Sequence, residues 1–275
     1  MGEELLRLKG ISKSYGKNQV LRSVDMTVKK GDIYGLIGRN GSGKTTLFKV
    51  ILGLSPYQSG ELSVFGGRNE AENRANRSRI GFFIGPNFFG YLSGRENLDY
   101  YRRVKGISDK KEIDRVLAIV GLDKKQAASP VSRYSLGQKQ RLGIASALLG
   151  KPELLIFDEP ANGLDPQGIH DIRTLIQRIN EQEGTTIIVS SHILSELENT
   201  AHRFGIVHDG VIKREITRDE MNRQNKTVRI EVPDKDSEKA KAVLQQNGIE
   251  IYRIARKDSS LEEFYFDLIG GESNA

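Results

Sequence analysis

The sequence predicts an α/β fold in which helices cover a mostly parallel β-sheet. Short apolar runs rich in β-branched residues, at 33–37, 154–157 and 185–189, are typical of buried strands. Between such runs lie longer stretches whose apolar residues recur at helical spacing, as in 167–183. Strands that alternate with helices in this way usually form a parallel sheet with helices on its faces.

A small antiparallel sheet is expected at the N-terminus. Val24, Met26 and Val28 alternate with other residues and therefore fall on one face of a strand. A glycine turn at 15–18 joins this strand to the preceding one. The elements expected next are the strand at 33–37, a helix that ends near residue 54, and strands at 61–65 and 80–84.

Residues 94–150 are predicted to form a helical subdomain. Leu98, Tyr101 and Val104 recur there at helical spacing. The stretch 99–105 mixes tyrosines with basic residues, a combination that also occurs in nucleic-acid interfaces. A solvated helix face is favoured, because charge runs of this size are common on helices. No nucleic-acid partner is therefore expected.

The chain is predicted to consist of a main domain, residues 1–216, and a small accessory α+β unit, residues 217–275. The main domain ends in a hairpin whose turn, Asp209-Gly210, is a strong two-residue hairpin signal. Beyond it the composition changes, and 219–226 is interpreted as a polar linker. The accessory unit is expected to contain strands at 227–232 and 249–254, a helix near residue 243 between them, and an amphipathic stretch at 261–269.

The composition is that of an ordinary globular protein of the cytosol. Hydrophobic residues make up 37% and charged residues 28% of the 275 positions, and no apolar run is long enough to cross a bilayer. The N-terminus carries acids where a secretory signal would carry bases. The absence of cysteine excludes disulfides and thiolate metal sites. The formal net charge of +6 suits a nucleotide, an acidic protein or an anionic membrane surface equally well.

The stretch GRNGSGKTT follows a buried strand and precedes a helix, which is the context of a phosphate-binding loop. Gly38, Gly41 and Gly43 lack Cβ atoms, so the backbone can point its N–H groups inward at a phosphate. Lys44 brings a positive charge to the outer phosphates, and the helix that begins near Thr45 adds the positive end of its dipole. The Thr45 hydroxyl can bind Mg²⁺. The predicted nucleotide-binding residues of the loop are Gly38, Asn40, Gly41, Ser42, Gly43, Lys44, Thr45 and Thr46.

A pair of acids, Asp158 and Glu159, follows the apolar run 154–157. In folds with a phosphate loop, metal and water chemistry takes place at the C-terminal ends of the strands. Asp158 is expected to hold Mg²⁺ through water, and Glu159 to polarise the attacking water and accept its proton. The acid pair therefore predicts a nucleoside triphosphate site that requires Mg²⁺.

Three further motifs follow in order: YSLGQ at 134–138, NGLDP at 162–166, and His192 after a strand and two serines. Together with the phosphate loop and the acid pair, they resemble the motifs of the ATP-binding-cassette ATPases. The resemblance covers residues 5 to about 215 and implies a RecA-like phosphate-loop core that binds ATP. It also implies that Tyr15 stacks on the adenine ring and that His192 contacts the γ-phosphate.

The resemblance implies how the signature sequence YSLGQ is used. Ser135 and Gly137 begin a helix, so a hydroxyl and an N–H group form a second anion site. In the family, two cassettes pack head to tail, and each signature covers the ATP held by the phosphate loop of the other. The partner in the ATP-bound dimer is then a second copy of this chain or a related ATPase. Gln138 and Asp165 are expected to belong to the same nucleotide site.

Two positions depart from the family pattern. Leu136 stands where the signature usually has glycine, and this variant resembles cassettes that export antimicrobial peptides, bacitracin-like compounds and other drugs. Gly85 stands where the family has glutamine, or glutamate in bacitracin-type cassettes, and the loop is one residue short. In the family, that side chain senses Mg²⁺ and water and couples the cassette to its membrane partner. Weakened coupling or slower turnover is expected, with Asn87 as the candidate substitute.

The predicted function is that of the ATP-binding and ATP-hydrolysing subunit of a membrane exporter. The chain has no apolar stretch that could span a membrane, so a separate integral-membrane permease is expected as its partner. A cytoplasmic helix of this permease would dock in the cleft between the loop 85–97 and the helical subdomain. The ATPase would lie in the cytoplasm, on the inner face of the cell membrane.

A cassette ATPase that acts on ribosomes or DNA is the alternative. Ribosome-acting members usually carry two cassettes per chain, and only one set of motifs occurs here. Genome-maintenance members insert long heptad arms between the phosphate loop and the signature, and no sustained heptads lie there. A GTPase is disfavoured, because Asn225-Lys226 is not followed by the aspartate of the motif that recognises guanine. Transport is therefore favoured.

Overall fold

The computed structural model describes residues 2–85, 87–198, 200–224, 230, 232–251 and 254. The chain divides into two compact units, Met1–Asn222 and Arg223–Ala275. All predicted site residues belong to the first unit. Within the described ranges, no helix has the length and hydropathy of a membrane span.

The regular elements confirm the predicted alternation of strands and helices. The described strands are β1 (Glu4–Tyr15), β2 (Asn18–Lys29), β3 (Ile33–Ile37), β4 (Ser59–Val64), β5 (Ile80–Ile84), β6 (Leu154–Asp158), β7 (Thr186–Ser191), β8 (Arg203–His208) and β9 (Val211–Thr217). The described α-helices are α1 (Lys44–Ile51), α2 (Glu70–Asn76), α3 (Gly94–Val104), α4 (Lys111–Val120), α5 (Lys124–Ala128), α6 (Leu136–Leu148), α7 (Pro166–Glu183), α8 (Leu194–Glu198), α9 (Arg218–Gln224) and α10 (Ser237–Gln246).

The strands form two sheets. The smaller sheet is antiparallel with the order β2-β1-β4 and confirms the sheet predicted at the N-terminus. The larger sheet has the order β5-β6-β7-β3-β8-β9 and is parallel except for the β8–β9 hairpin. Because β7 lies between β6 and β3, the residues that follow these strands meet at one edge of the sheet. That edge carries the phosphate loop, the acid pair and His192.

Two apolar cores account for the buried faces of the sheets. Val24, Met26 and Val28 of β2 are each at most 1% exposed and belong to a core that includes Leu36 of β3 and Phe48 of α1. The second core joins the large sheet to helices α3, α4, α6 and α7. The central strands are therefore covered on both faces, which explains their continuous apolar sequences.

Close packing of β5 on α6 leads to a prediction about stability. A Cβ atom at Gly81 would lie 2.1 Å from the carbonyl oxygen of Ala147 and 2.8 Å from Cδ2 of Leu155. Because backbone would have to shift, Gly81→Ala is expected to lower the free energy of unfolding by about 1–3 kcal/mol. Denaturant unfolding of the purified protein measures this loss. Gly90→Ala is the control, since its Cβ would meet nothing closer than 3.7 Å; equal losses in both variants would contradict the prediction.

The prediction of a polar linker at 219–226 is wrong for the first part of this segment, which belongs to α9. A capping box explains the helix. The hydroxyl of Thr217 accepts a hydrogen bond from the N–H of Glu220 at 3.1 Å, and the Glu220 carboxylate accepts one from the N–H of Thr217 at 2.8 Å. The local signal is thus a cap rather than an apolar stripe. A smaller difference concerns α1, which ends at Ile51 rather than near residue 54.

The interpretation of 99–105 as a solvated helix face is wrong for Arg102. This side chain is only 4% exposed. Its guanidinium group donates hydrogen bonds to Asp99 at 2.7 Å and to the carbonyl oxygens of Ile107 and Ser108. Arg102 therefore ties α3 to the loop that leads to α4, and its burial is stabilised by these partners.

Part of the predicted accessory unit can be compared with the structure. Helix α10 confirms the helix predicted near residue 243. Residues 249–251, the described start of another predicted strand, are irregular and pair with no described strand. The strand predicted at 227–232 lies mostly outside the described residues, and the stretch predicted at 261–269 lies wholly outside them.

Candidate active site

The phosphate loop joins β3 to α1 and is held against two neighbouring strands. The N–H of Gly38 donates a hydrogen bond to the carbonyl oxygen of Ser191, at the end of β7, at 3.3 Å. Gly43 has a φ of 107°, which side chains rarely adopt, and its Cβ would lie 3.0 Å from Cδ2 of Leu21 and 3.1 Å from the carbonyl oxygen of Val20. Packing against β2 therefore requires glycine at this turn. The turn leads directly into the N-terminus of α1, where backbone N–H groups favour an anion.

Lys44 joins the phosphate loop to the acid pair. It is the first residue of α1 and is 4% exposed. Its Nζ donates hydrogen bonds to the carbonyl oxygens of Gly38 and Arg39, at 2.6 and 3.3 Å, and lies 3.2 Å from Oε1 of Glu159. These partners stabilise a buried ammonium group. The two carbonyl oxygens also keep the ammonium group of Lys44 next to the backbone of the phosphate loop.

The two predicted magnesium ligands, Asp158 and Thr45, are in contact. Asp158 ends β6 and lies opposite Ser190 of β7 in the parallel register. Its Oδ2 accepts a hydrogen bond from the Thr45 hydroxyl at 2.6 Å, and its Oδ1 accepts one from the Ser190 hydroxyl at 2.7 Å. A hydroxyl and a carboxylate oxygen in contact are suitable donors for Mg²⁺.

The donor set fits Mg²⁺ bound together with a phosphate. Across the described residues, no group of three or more His, Cys, Asp or Glu side chains could hold a metal ion by itself. Mg²⁺ is usually bound by one or two protein groups together with substrate phosphates and water, so a site with few protein ligands is expected. The loop fits the phosphate, because the buried Oγ of Ser42 has no hydrogen-bond partner in the described structure. Of the remaining loop residues, Asn40 and Gly41 are exposed and Thr46 is half-buried.

Glu159 lies between Lys44 and His192, with one carboxylate oxygen toward each. Its Oε2 is 3.0 Å from Nδ1 of His192, which donates a hydrogen bond in the tautomer that carries a proton there. The backbone of Glu159 is left-handed, with φ of 49°, a conformation that costs a non-glycine residue about 1–2 kcal/mol. Its N–H donates to the hydroxyl of Ser190 at 2.9 Å. Backbone strain of this kind clusters at active sites, which supports a functional role for Glu159.

Tyr15 ends β1 and is supported by two side chains. Its hydroxyl lies 3.2 Å from Oγ of Ser55, and Nζ of Lys13 lies 4.7 Å from the centroid of its ring. A cation at this distance is attracted to an aromatic face. The ring itself is 49% exposed, so a flat base can stack on it.

The signature residues begin helix α6. Ser135 is its N-cap: the hydroxyl accepts from the N–H of Gln138 at 3.2 Å, and Oε1 of Gln138 accepts from the N–H of Ser135 at 3.0 Å. Gly137 lies in the first turn, whose N–H groups have no partner within the helix. Asp165 caps α7 in a similar way, accepting from the N–H of Gly168 at 2.8 Å. No hydrogen bond or ion pair among the described residues joins these caps to the acid pair.

Tyr134 anchors the signature to the helical subdomain. Its hydroxyl donates to the carbonyl oxygen of Gln126 at 2.7 Å. The same hydroxyl lies against the start of α3, where a Cβ on Gly94 would be 2.2 Å from it. Burial raises the pKa of the Tyr134 phenol, so this group remains a neutral hydrogen-bond donor.

Backbone hydrogen bonds join the loop 90–94 to the segment 129–132, which leads into the signature. The N–H groups of Val131 and Ser132 donate to carbonyl oxygens of the loop at 2.9 Å each. A third bond, 3.3 Å long, runs from the N–H of Gly94 to the segment. We call this pairing the loop–signature ladder. It connects the region predicted to contact a permease with the region predicted to contact a second cassette.

Gly85 follows β5 in a left-handed conformation, with φ of 70°. Nothing lies within 4 Å of the position that its Cβ would occupy, so the space would accept a side chain although the backbone disfavours one. Asn87, the candidate substitute, is exposed, and its carbonyl oxygen accepts a hydrogen bond from the hydroxyl of Tyr101. The contact that the structure shows for Asn87 is therefore made by its backbone.

The family model described as ABC transporter matches residues 21–162, which include the phosphate loop, the signature and the acid pair. This chain belongs to the ABC transporter family. The ABC protein is 37% identical to the bacitracin transport ATP-binding protein BcrA of Bacillus licheniformis, over 97% of this chain and 98% of that one. It is 42% identical to the lantibiotic transport ATP-binding protein SrtF of Streptococcus pyogenes, over 76% of this chain and 89% of that one.

A solved ABC structure supports the same conclusion. The dimeric, post-hydrolysis state of the ATP-binding cassette MJ0796 bound to ADP and Pi matches with a TM-score of 0.68 and 27% identity, over 78% of this chain and 98% of that one. The predicted α/β phosphate-loop fold and the predicted family are thereby confirmed. The chain is an ABC ATPase, the ATP-binding subunit of a transporter.

Three side chains that support the site are not predicted from the sequence: Ser190, Lys13 and Ser55. Ser190 was visible only as one of two serines before the histidine, and its role depends on the register between β6 and β7. Lys13 lies two residues before Tyr15 in β1, but the pairing of β1 with β2 is irregular between Lys13 and Ser14, so the period of a strand does not by itself indicate this contact. Ser55 comes from the loop after α1, and no sequence signal connects it to Tyr15.

Proposed function

We propose that this ABC ATPase powers the export of peptide or other drug-like antibiotics through a separate integral-membrane permease. The observation that carries the catalytic part is the meeting of Lys44, Asp158, Glu159 and His192 at one edge of the sheet. Relatives named for bacitracin and lantibiotic transport support the class of transported molecule. The exporter-type residue Leu136, which is 41% exposed on α6, supports the direction of transport.

Each residue at the sheet edge has a separate role in this proposal. The phosphate loop binds the outer phosphates of ATP, and Lys44 neutralises part of their charge. Thr45 and Asp158 would hold Mg²⁺, which would withdraw charge from the phosphates. Glu159 orients the attacking water and accepts its proton. His192 holds Oε2 of Glu159 and contacts the γ-phosphate.

A second cassette completes the site. Tyr15 stacks on adenine in one chain, while Ser135 and Gly137 of the other chain cover the γ-phosphate with a hydroxyl and an N–H group. Gln138 and Asp165, which take part in the caps of α6 and α7, are proposed as further residues of this nucleotide site. The matched MJ0796 structure is described as dimeric, which supports this arrangement.

The permease is proposed to dock beside the loop 85–97, on the cytoplasmic side of the membrane. Exposed aromatic side chains around this loop support the proposal. Tyr91 is 78% exposed, and the ring of Phe89 lies tilted against Tyr91 and edge-on to Tyr100, at ring-centroid distances of 6.0 and 5.0 Å. Exposed aromatic residues are enriched in protein interfaces. The loop–signature ladder would transmit movement of this surface to Ser135.

The permease can be sought directly. The tagged ATPase would be purified in mild detergent from membranes of its natural host, and the copurifying proteins identified by mass spectrometry. An integral-membrane protein in stoichiometric amount, whose presence raises the ATPase rate, is the expected result. Recovery of ribosomes or DNA in its place would contradict transport and favour the alternative class of cassette ATPase.

The missing side chain at Gly85 leads to a prediction about turnover. Insertion of a glutamine at Gly85 is expected to raise the rate of ATP hydrolysis, by about tenfold or less, because it restores a polar group that positions Mg²⁺ and water. Insertion restores the length of the loop, and Gly85 keeps its left-handed backbone, with φ of 70°. Steady-state phosphate release measures the rate. Insertion of alanine at the same place is the control, and equal rates in the two variants would contradict the prediction.

A further inference from the structure

We infer that Ser190 is a positioning residue for ATP hydrolysis, because its single hydroxyl group holds both acids of the site. The inference rests on the roles proposed for Asp158 and Glu159. Ser190 lies near the end of β7 and is completely buried. The parallel register of β6 and β7 places it directly opposite Asp158. This register brings the hydroxyl to the peptide that links the two acids.

The hydroxyl of Ser190 contacts the acid pair both as a hydrogen-bond donor and as an acceptor. A serine hydroxyl has one proton to donate and can accept hydrogen bonds as well. Here it donates to Oδ1 of Asp158 at 2.7 Å and accepts from the N–H of Glu159 at 2.9 Å. No other described hydrogen bond involves this oxygen. The two acids are therefore linked through one buried atom.

The bond from the N–H of Glu159 fixes the direction of that residue. Because the backbone of Glu159 is left-handed, with φ of 49°, it needs support from its surroundings. Ser190 provides that support at the N–H group. The carboxylate is thereby directed between Lys44, at 3.2 Å, and His192, at 3.0 Å.

The bond to Asp158 fixes the other acid. With Oδ1 engaged by Ser190, Oδ2 is the oxygen that faces the Thr45 hydroxyl at 2.6 Å. Rotation of the carboxylate would break both contacts. The same hydroxyl therefore orients the acid that faces the metal site and the acid that faces the attacking water.

The neighbouring serine has a different task. The hydroxyl of Ser191 donates to the carboxylate of Glu196 and accepts from the N–H of Ile193 at 2.9 Å. These contacts shape the turn from β7 into α8. Of the two serines that precede the histidine, Ser190 is thus the one that contacts the acid pair.

The test measures kcat and the affinity for ATP separately. Ser190→Ala removes both hydrogen bonds and leaves a buried N–H group without a partner. We expect kcat to fall about 10- to 100-fold, while the dissociation constant of ATP changes by about twofold or less. Ser190→Cys is the second variant, because its thiol leaves no cavity, although it is somewhat larger than the hydroxyl, and forms only weak hydrogen bonds. Ser190→Cys is also expected to lower kcat, so the inference can be tested even if the alanine variant folds poorly.

Thr186→Val is the matched control. Thr186 begins the same strand, is also completely buried, and accepts a hydrogen bond from the N–H of Gly31 at 2.9 Å. Its replacement removes a buried hydroxyl at the opposite end of β7. Melting temperatures of the control and the Ser190 variants should fall by comparable amounts, while the control keeps its kcat within about twofold.

The outcomes separate this inference from the proposed function. Wild-type kcat in Ser190→Cys, or a loss of ATP affinity as large as the loss of kcat, would overturn the positioning role. Glu159→Gln is measured in parallel. If Glu159→Gln loses turnover and Ser190→Cys keeps it, the inference fails alone. If Glu159→Gln keeps turnover, the proposed function fails with it.

Discussion

Glu159→Gln should bind ATP normally, hydrolyse it about 10²–10⁴-fold more slowly, and accumulate as a dimer in the presence of Mg²⁺ and ATP. The amide is nearly the same size as the carboxylate and can still accept a hydrogen bond from Nδ1 of His192, 3.0 Å away. It cannot accept the proton of the attacking water. The ATP that joins two cassettes would therefore persist, and the dimer with it.

Phosphate release and size-exclusion chromatography with light scattering measure the two effects. Glu153→Gln is the control, because Glu153 lies just before the start of β6, at the end of the strand away from the acid pair. Its ion pair with Arg79, at 2.6 Å, is partly exposed. The control should turn over ATP at the wild-type rate and form no stable dimer. If Glu159→Gln stays monomeric at high ATP concentration without a permease, the homodimer loses its support.

Two inactive variants should regain activity when they are mixed. Lys44→Ala disables the phosphate loop and keeps its signature, while Ser135→Arg blocks the signature and keeps its phosphate loop. Lys44→Ala alone should lose at least about 100-fold in ATPase rate, since removal of a buried paired charge costs about 2–5 kcal/mol. Ser135→Arg alone should lose a comparable factor, because the long side chain would fill the anion site at the start of α6. In a mixed dimer, the intact loop of one chain meets the intact signature of the other. One of the two sites is then complete.

A titration of one variant with the other, at constant total protein, measures the recovery. The rate should pass through a maximum near equal amounts, where mixed dimers are most abundant. Asp123→Arg is the control for the lost helix cap, because Asp123 and Gln126 form the same kind of capping box on α5. It should be active alone. A mixture that stays as inactive as its components would contradict a site shared between chains.

The parts of the site that lie in one continuous stretch could be predicted from the sequence. The phosphate loop is recognisable because glycines, Lys44 and Thr45 follow an apolar strand and begin a helix. Asp158 and Glu159 are recognisable for a similar reason, since they end a buried strand. In both places, local chemistry and local structure agree. The central strands were found for the same reason.

The contacts between separate stretches could not be predicted. Ser190 holds the acid pair only because β7 pairs with β6 in a particular register, and one residue of slippage would point its side chain to the other face. Arg102 is buried because Asp99 and the carbonyl oxygens of Ile107 and Ser108 satisfy its guanidinium group, and this depends on how the chain turns after α3, while its composition is that of a solvated helix. Helix α9 has a polar composition without an apolar stripe, so only the cap formed by Thr217 and Glu220 distinguishes it from a linker.

The loop–signature ladder consists of main-chain hydrogen bonds, and this has a consequence for how such proteins diversify. An exposed side chain of the loop 90–94, such as Tyr91, can be exchanged without changing the N–H and carbonyl groups that bind the segment 129–132. In the proposed docking, exposed side chains of the loop would recognise the permease, and the main-chain groups of the loop would transmit the movement. An ABC ATPase of this design can acquire a new membrane partner through surface substitutions while its internal linkage remains intact.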